Sequence, residues 1–449
     1  MLLAAAWKRV LIAGIAVAAL WAAVLWVAPS TPVVSPVQPA VPVAPRPATP
    51  MAAPAGPLRI VVRSGTAAPG GGSIDRFDAP SQPVIAPVNA RGQVAFHATV
   101  LRAAAREGIF LAKDGRLSKV AAFGDAVPGG GTITGFGEMP LPALNAAGHV
   151  AFNAQIAGGR GTDGIFLARD EGLEGIALAG DDAPGVPAGV LIGFNAPALN
   201  DSDELAFVAT VRRGRDTLDV LYFWNGRRLQ RLVAEGELLL RIGGTMDKIG
   251  EPALNNAGVV AFPASILKGP VVGGIFVAGA RALHLLVGAG EHTGDGAMVL
   301  RFSDRVAIDD EDGVAFGAYL GGDGSTREAV LRAASDGLAV IATEGGEAPG
   351  GGRYAAFGPW PTATSTGVIA FVAALEGGPG PLAAFTATAG SVDRVATIGE
   401  KLANGTRIGR FALNAIAASA PNDALTFVTV ADSDDARSAI WCRCPVPQR

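Results

Sequence analysis

Apolar and polar positions alternate with a period of two over short stretches of this chain, and the stretches themselves recur at a much longer period. An octapeptide read as "NAAGHVAF" from Asn145, "NDSDELAF" from Asn200 and "NNAGVVAF" from Asn255 ends at Phe96, Phe152, Phe207, Phe262, Phe316, Phe371 and Phe427. The intervals are 56, 55, 55, 54, 55 and 56 residues, which marks a tandem repeat. Two residues before each Phe stand Val94, Val150, Leu205, Val260, Val314, Ile369 and Leu425, and two after stand Ala98, Ala154, Ala209, Ala264, Ala318, Ala373 and Thr429. That spacing places them on one face of a strand. The residue directly before Phe faces the other way and is Ala in six copies and Thr426 in the seventh. A small side chain there admits a neighbouring sheet, so both faces are predicted to be buried.

The polar positions predict a turn before each buried strand. Asn89, Asn145, Asn200, Asn255, Asp309, Thr364 and Ala420 lie seven residues ahead of Phe. Three residues further on stand Gly92, Gly148, Asp203, Gly258, Asp312, Gly367 and Asp423, types that tolerate positive φ. An Asx side chain at the start of such a turn bonds its backbone. About fourteen residues after Phe comes another apolar strand, such as "GIFLA" at Gly108 and Gly164, then a third such as "LSKVAAFGD". A further strand such as "TITGF" precedes the Asn turn. Four strands per repeat and seven repeats predict an all-β fold, a seven-bladed β-propeller. The span 58–442 is seven times 55 residues, and the strand from Leu58 is expected to complete the last blade beside Ala439, closing the ring.

Composition adds a location. "WKR" at Trp7–Arg9 precedes nineteen uncharged residues, 10–28, which as a helix would be about 28 Å long and span a bilayer. The positive flank predicts a cytoplasmic N-terminus, residues 1–9, and an exported remainder. A cleaved signal peptide is the competing reading, disfavoured by bulky Trp26 near the cut. Residues 29–57 hold ten prolines, a spacer reaching about 90 Å if extended. The propeller is then residues 58–444 and the tail 445–449. The net charge of −4 argues against nucleic acid as a partner. Cys442 and Cys444 in "WCRCP" read as two strand-embedded thiols.

The seven motifs resemble the bacterial tandem-repeat family named for Asn-x-x-Gly-x-x-Ala-Phe, over residues 58–444. This chain departs from the pattern at Asp203, Asp309, Asp312, Thr364, Ala420, Asp423 and Thr426. The resemblance implies an exported, anchored envelope protein and implies no activity.

Candidate chemistry lies on the rim formed by the loops that follow the second and fourth strands of each blade. Gly65, Gly124, Gly180, Gly236, Gly290, Gly346 and Gly399 are followed by Thr66, Asp125, Asp181, Glu237, Glu291, Glu347 and Glu400. Six carboxylates in a ring suit a hard cation such as Ca2+ or a basic partner. The competing reading is turn carboxylates paired locally, in which case no cofactor is needed. The variable loops on the same rim carry Arg102 and Arg106, Arg160, then Arg212, Arg213 and Arg215, with Asp432, Asp434 and Asp435 in the last blade. Variable loops on a rigid ring are where binding resides. Hydrolase, metalloprotease, phosphate-loop and EF-hand motifs are absent. The expectation is a membrane-tethered propeller that binds an envelope protein or glycan through its rim, with a glycan hydrolase or lyase using rim carboxylates as the alternative.

Overall fold

The computed structural model describes residues 56–77, 84–137, 139–279, 282–322, 324–388, 390–419, 424–430 and 438–444. The expected anchor, most of the Pro-rich spacer, the turn residues Ala420 and Asp423, the loop with Asp432, Asp434 and Asp435, and the tail lie outside them. Among the described residues no helix is long and apolar enough to cross a membrane. Residues 51–449 form one compact unit.

The strands assemble into seven antiparallel sheets, the blades of a β-propeller. Blade 2 shows the plan. From the axis outwards it runs Thr132–Gly135, Val150–Ala157, Asp163–Arg169 and Gly172–Leu178. In blade 7 the order is Arg410–Ser419, Ala424–Val430 and Ala439–Arg443, and then the chain's first strand, Leu58–Arg63. Leu58 pairs with Arg443 and Arg63 with Ala439. Cys442 and Cys444 are fully buried in this blade and joined as a disulfide, which corrects the expectation of two thiols. Residues i and i+2 of a strand share a face, and the Cα atoms are 5.4 Å apart, within bridging range.

Each motif strand is second in its blade, and every motif Phe is at most 1% exposed. In six blades this Phe pairs across the ladder with an aromatic residue, as in Phe96 with Phe110, Phe207 with Tyr222 and Phe427 with Trp441. In blade 5 the partner is Leu331. The alanines before Phe are equally buried against the adjacent blades, as the pattern predicts.

The turns also match. Gly92, Gly148, Asp203, Gly258, Asp312 and Gly367 all have positive φ. Each leading Asn takes its own turn's amides on Oδ1, as Asn200 does from Ser202 N at 3.0 Å and Glu204 N at 2.9 Å. Its Nδ2 reaches the next blade. Asn89 donates to Asn145 O at 2.9 Å, Asn145 to Asn200 O at 3.2 Å, Asn200 to Asn255 O at 3.0 Å and Asn255 to Asp309 O at 3.0 Å. The Asn is therefore both the turn's cap and a strut between blades. At Asp309 the relay stops, because a carboxylate has no amide to donate. There Arg332 Nη2 donates to Asp309 Oδ2 at 3.0 Å, on a side chain only 3% exposed.

Candidate functional site at the propeller axis

Antiparallel blades put two kinds of loop at each end. The Asn turns and the loops between third and outer strands share one end. The acidic turns and the variable loops share the other. The acidic turns do not converge on a common ion. Asp125 accepts from Ala122 N at 2.8 Å and from Lys119 Nζ at 2.7 Å. Asp181 accepts from Leu178 N at 3.1 Å and pairs with Arg160 at 3.0 Å. Glu237 takes Ala234 N and Arg231, Glu291 takes Gly288 N, and Glu400 takes Thr397 N. Each carboxylate thus closes its own turn onto the amide three residues earlier, and Thr66 does the same weakly from Arg63 N at 3.4 Å.

Glu347 is out of register. In blade 6 the glycine with positive φ that donates to the next inner strand is Gly345, to Tyr354 O at 2.7 Å, just as Gly124 donates to Ile133 O. Gly346 therefore occupies the acidic position, and Glu347 stands one residue beyond it with its side chain 87% exposed. The expected six carboxylates are five at equivalent positions. Among the described residues no group of three or more His, Cys, Asp or Glu is arranged to hold a metal ion. Arg102, Arg106, Arg160, Arg212, Arg213 and Arg215 are all exposed on their loops. Arg106 lies over the Phe123 ring at 4.4 Å.

A different set of residues meets at the axis. Four positions before the turn residue stand Ile85, Leu141, Ala196, Glu251, Arg305 and Trp360, from blades 1 to 6 in order. Ile85, Leu141 and Ala196 form one apolar cluster, and Trp360 packs against it. Side chains from blades 1, 2, 3 and 6 can touch only across the centre of the ring, so this layer plugs the channel. The remaining arc carries charge. Glu251 and Arg305 pair through their backbones, and Glu251 N donates to Asp304 O at 2.9 Å. Trp360 Nε1 donates to Asp304 Oδ1 at 2.6 Å, and the Arg305 guanidinium sits over the Trp360 ring at 5.5 Å.

One position earlier, towards the variable-loop end, Asn195 and Asp304 are exposed. Glu251 beneath them is 6% exposed. Its burial pushes the carboxyl up to about 6, against the pull of Arg305 and a hydrogen bond with Asn195. Burial also lowers Arg305, whose Nη1 is shut from solvent with no hydrogen-bond partner. The variable-loop side of this axial layer therefore offers an indole, an amide and a carboxylate, backed by a second carboxyl raised to about 6. Such a mix of one apolar face with a few fixed polar groups suits the binding of a polar molecule. At the opposite end a cavity of about 180 Å³ is ringed by the Asn turns themselves, including Asp201, Asn256 and Asp310.

Reading the repeats one by one misses this site. Its signal is the column four residues before each turn, apolar or small in blades 1 to 3 and then Glu, Arg and Trp in succession.

Comparison with solved structures finds matches at low identity. A prolyl endopeptidase matches with 13% identity and a TM-score of 0.39, covering 80% of this chain and 49% of its own. The Trypanosoma rangeli sialidase matches at 10% and 0.35, covering 88% and 58%. The Aleuria aurantia lectin matches at 10% and 0.33, covering 73% and 97%. This chain thus spans about half the length of the endopeptidase. At these values the likenesses carry no argument about activity. No curated protein matches the chain. A model of a family of unknown function, DUF7453, matches residues 53–420, and the chain belongs to that family.

Proposed function

We propose that this protein is a ligand-binding propeller of the bacterial cell envelope, held by its N-terminal segment to the membrane, and that it takes a glycan at the axis on the variable-loop side. The observation that carries the reading is Trp360 beside the exposed Asp304 and Asn195, over the buried Glu251 and the half-buried Arg305. A partly exposed indole offers a flat apolar face to the C–H side of a sugar ring, while carboxylate and amide take its hydroxyls. The variable loops would extend the contact and supply selectivity, with an envelope protein as the alternative occupant. In the same reading, the strand from Leu58 is the clasp that completes blade 7 as its outer strand.

A second reading, an enzyme acting on glycans, is favoured by one observation. A carboxyl raised to about 6 is poised as a general acid, and Glu251 is such a group. The test is to screen residues 51–449 against immobilised envelope polysaccharides, with Trp360→Ala as control. Binding that Trp360→Ala weakens by about 10-fold or more supports the axial site. Equal binding by the variant refutes it. Release of reducing ends by the native unit that Glu251→Gln abolishes moves the protein to the second reading.

A further inference from the structure

Blade 4 differs from the rest of the ring at the variable-loop end. Of seven large hydrophobic side chains exposed among the described residues, four lie there, Leu240 (86%), Val272 (72%), Leu238 (61%) and Leu267 (52%), and a fifth, Met298 (37%), opens the inner strand of blade 5. The repeat shows that this is a local departure. Where blades 1, 2 and 6 place "APGGG" or "VPGGG" after the acidic turn, and blades 3, 5 and 7 other Gly-containing turns, the turn entering blade 4 reads "LLLRIGG" from Leu238. The variable loop of blade 4 reads "LKGPVVG" from Leu267. The two loops sit against each other. A Cβ at Gly244 would lie 2.6 Å from Gly269 Cα, and one at Gly243 would lie 3.2 Å from Pro270. Their apolar tips thus form one projecting patch. Beside it an apolar hollow of about 410 Å³ is lined by Val272, Leu300 and Phe302.

The charges around the patch indicate what covers it. Arg241, Lys268 and Arg301 are exposed on the same loops and the adjoining strand. The nearby acids are engaged: Glu237 with Arg231, Glu235 with Lys248, and Glu291 with Gly288 N. Projecting aliphatic side chains flanked by cations match the boundary of a bilayer, where apolar tips enter the acyl region and cations meet anionic headgroups. The apolar run 10–28 is the membrane segment of the function proposed above, and this inference rests on that part of the reading for its setting.

We propose that the blade 4 loops are a membrane-contact surface that seats the propeller edge-down on an anionic lipid leaflet. This goes beyond glycan binding and does not depend on it.

The test uses residues 51–449, a compact unit by itself, so that the N-terminal run cannot contribute. The unit is sedimented with phosphatidylcholine vesicles, with and without about one third phosphatidylglycerol. The native unit is expected to pellet with the anionic vesicles and to be released by salt. Replacing Leu238, Leu240 and Val272 together by Ser should lower partitioning on the order of 100-fold. Arg241→Gln with Lys268→Gln should lower it by about 10-fold and reduce the salt dependence. Circular dichroism and melting of the variants show that each still folds, as expected for exposed tips. A native unit that stays in solution at low salt overturns the proposal, as does a Ser variant that pellets equally. Self-association that the Ser variant abolishes, without vesicle binding, overturns it in favour of a protein interface.

Discussion

The two ends of the propeller are made from the same strands yet are held in different ways. At the Asn-turn end, bonds pass from blade to blade: Asn89 to Asn145, Asn145 to Asn200, Asn200 to Asn255 and Asn255 to Asp309. A second line of bonds runs alongside, from Ala146 N to Asp201, Asp201 N to Asn256 and Asn256 N to Asp310. At the variable-loop end, most acidic turns bond within themselves, as Asp125 does to Ala122 N. A residue shared by two blades is constrained by both. A turn that satisfies itself leaves its loop free to change. The Leu-rich loops and the arginine loops accordingly occur at the variable-loop end.

The largest expected effect attacks the shared end. Asn200→Leu, at a residue 3% exposed, leaves the amides of Ser202 and Glu204 without their side-chain acceptor and takes from Asn255 O one of its two donors, Gly258 N being the other. It should cost about 3–5 kcal/mol, several buried polar groups being left unmade, measured by urea unfolding. A loss below about 1 kcal/mol would mean that the relay does not couple the blades. Arg332→Leu tests the place where the relay stops. It leaves the Asp309 carboxylate buried without its partner and should cost about 3 kcal/mol. Adding Asp309→Asn removes that charge and restores the repeat's amide, so the double variant should recover much of the loss.

At the axis the expected effect is smaller and depends on pH. Glu251 has its folded pKa raised from 4.5 to about 6, so the folded state binds its proton more tightly than the unfolded state. Stability from this group is present below about pH 4.5 and is lost as pH rises through about 6. The ionised form then costs about 2 kcal/mol. Glu251→Gln should flatten the stability profile between those limits and leave it unchanged in acid. An unaltered profile would contradict the burial argument. The smallest effects belong to the self-contained turns. Asp125→Ala loses one turn bond and an exposed ion pair, about 1 kcal/mol. Glu347→Ala, out of register and exposed, should change the melting point hardly at all. Equal losses for the two would contradict the register found at Gly345.

The blades were legible in the sequence because every repeat states them again. Phe and the small residue before it recur seven times, the residue at positive φ stands in six blades among the described residues, and a turn or a buried strand has few alternatives. The register of the acidic turn in blade 6 was not legible, because "TEGGEAPG" offers two glycines and only backbone pairing selects Gly345. The axial site was illegible for a further reason. Glu251, Arg305 and Trp360 lie about 55 residues apart along the chain, each a single departure from a column that is otherwise apolar or small. Only the packing of consecutive blades around the axis makes them neighbours.

The central claim is that ligand binding belongs to the axis at the variable-loop end, while the Asn-turn end is scaffold. Amide hydrogen exchange on residues 51–449, with and without the retained polysaccharide, tests it most directly. The account predicts slower exchange in 245–251, 298–306 and 354–361 on binding, with 200–204 and 255–259 unchanged. Protection confined to the Asn turns, with the axial segments unaffected, would contradict it.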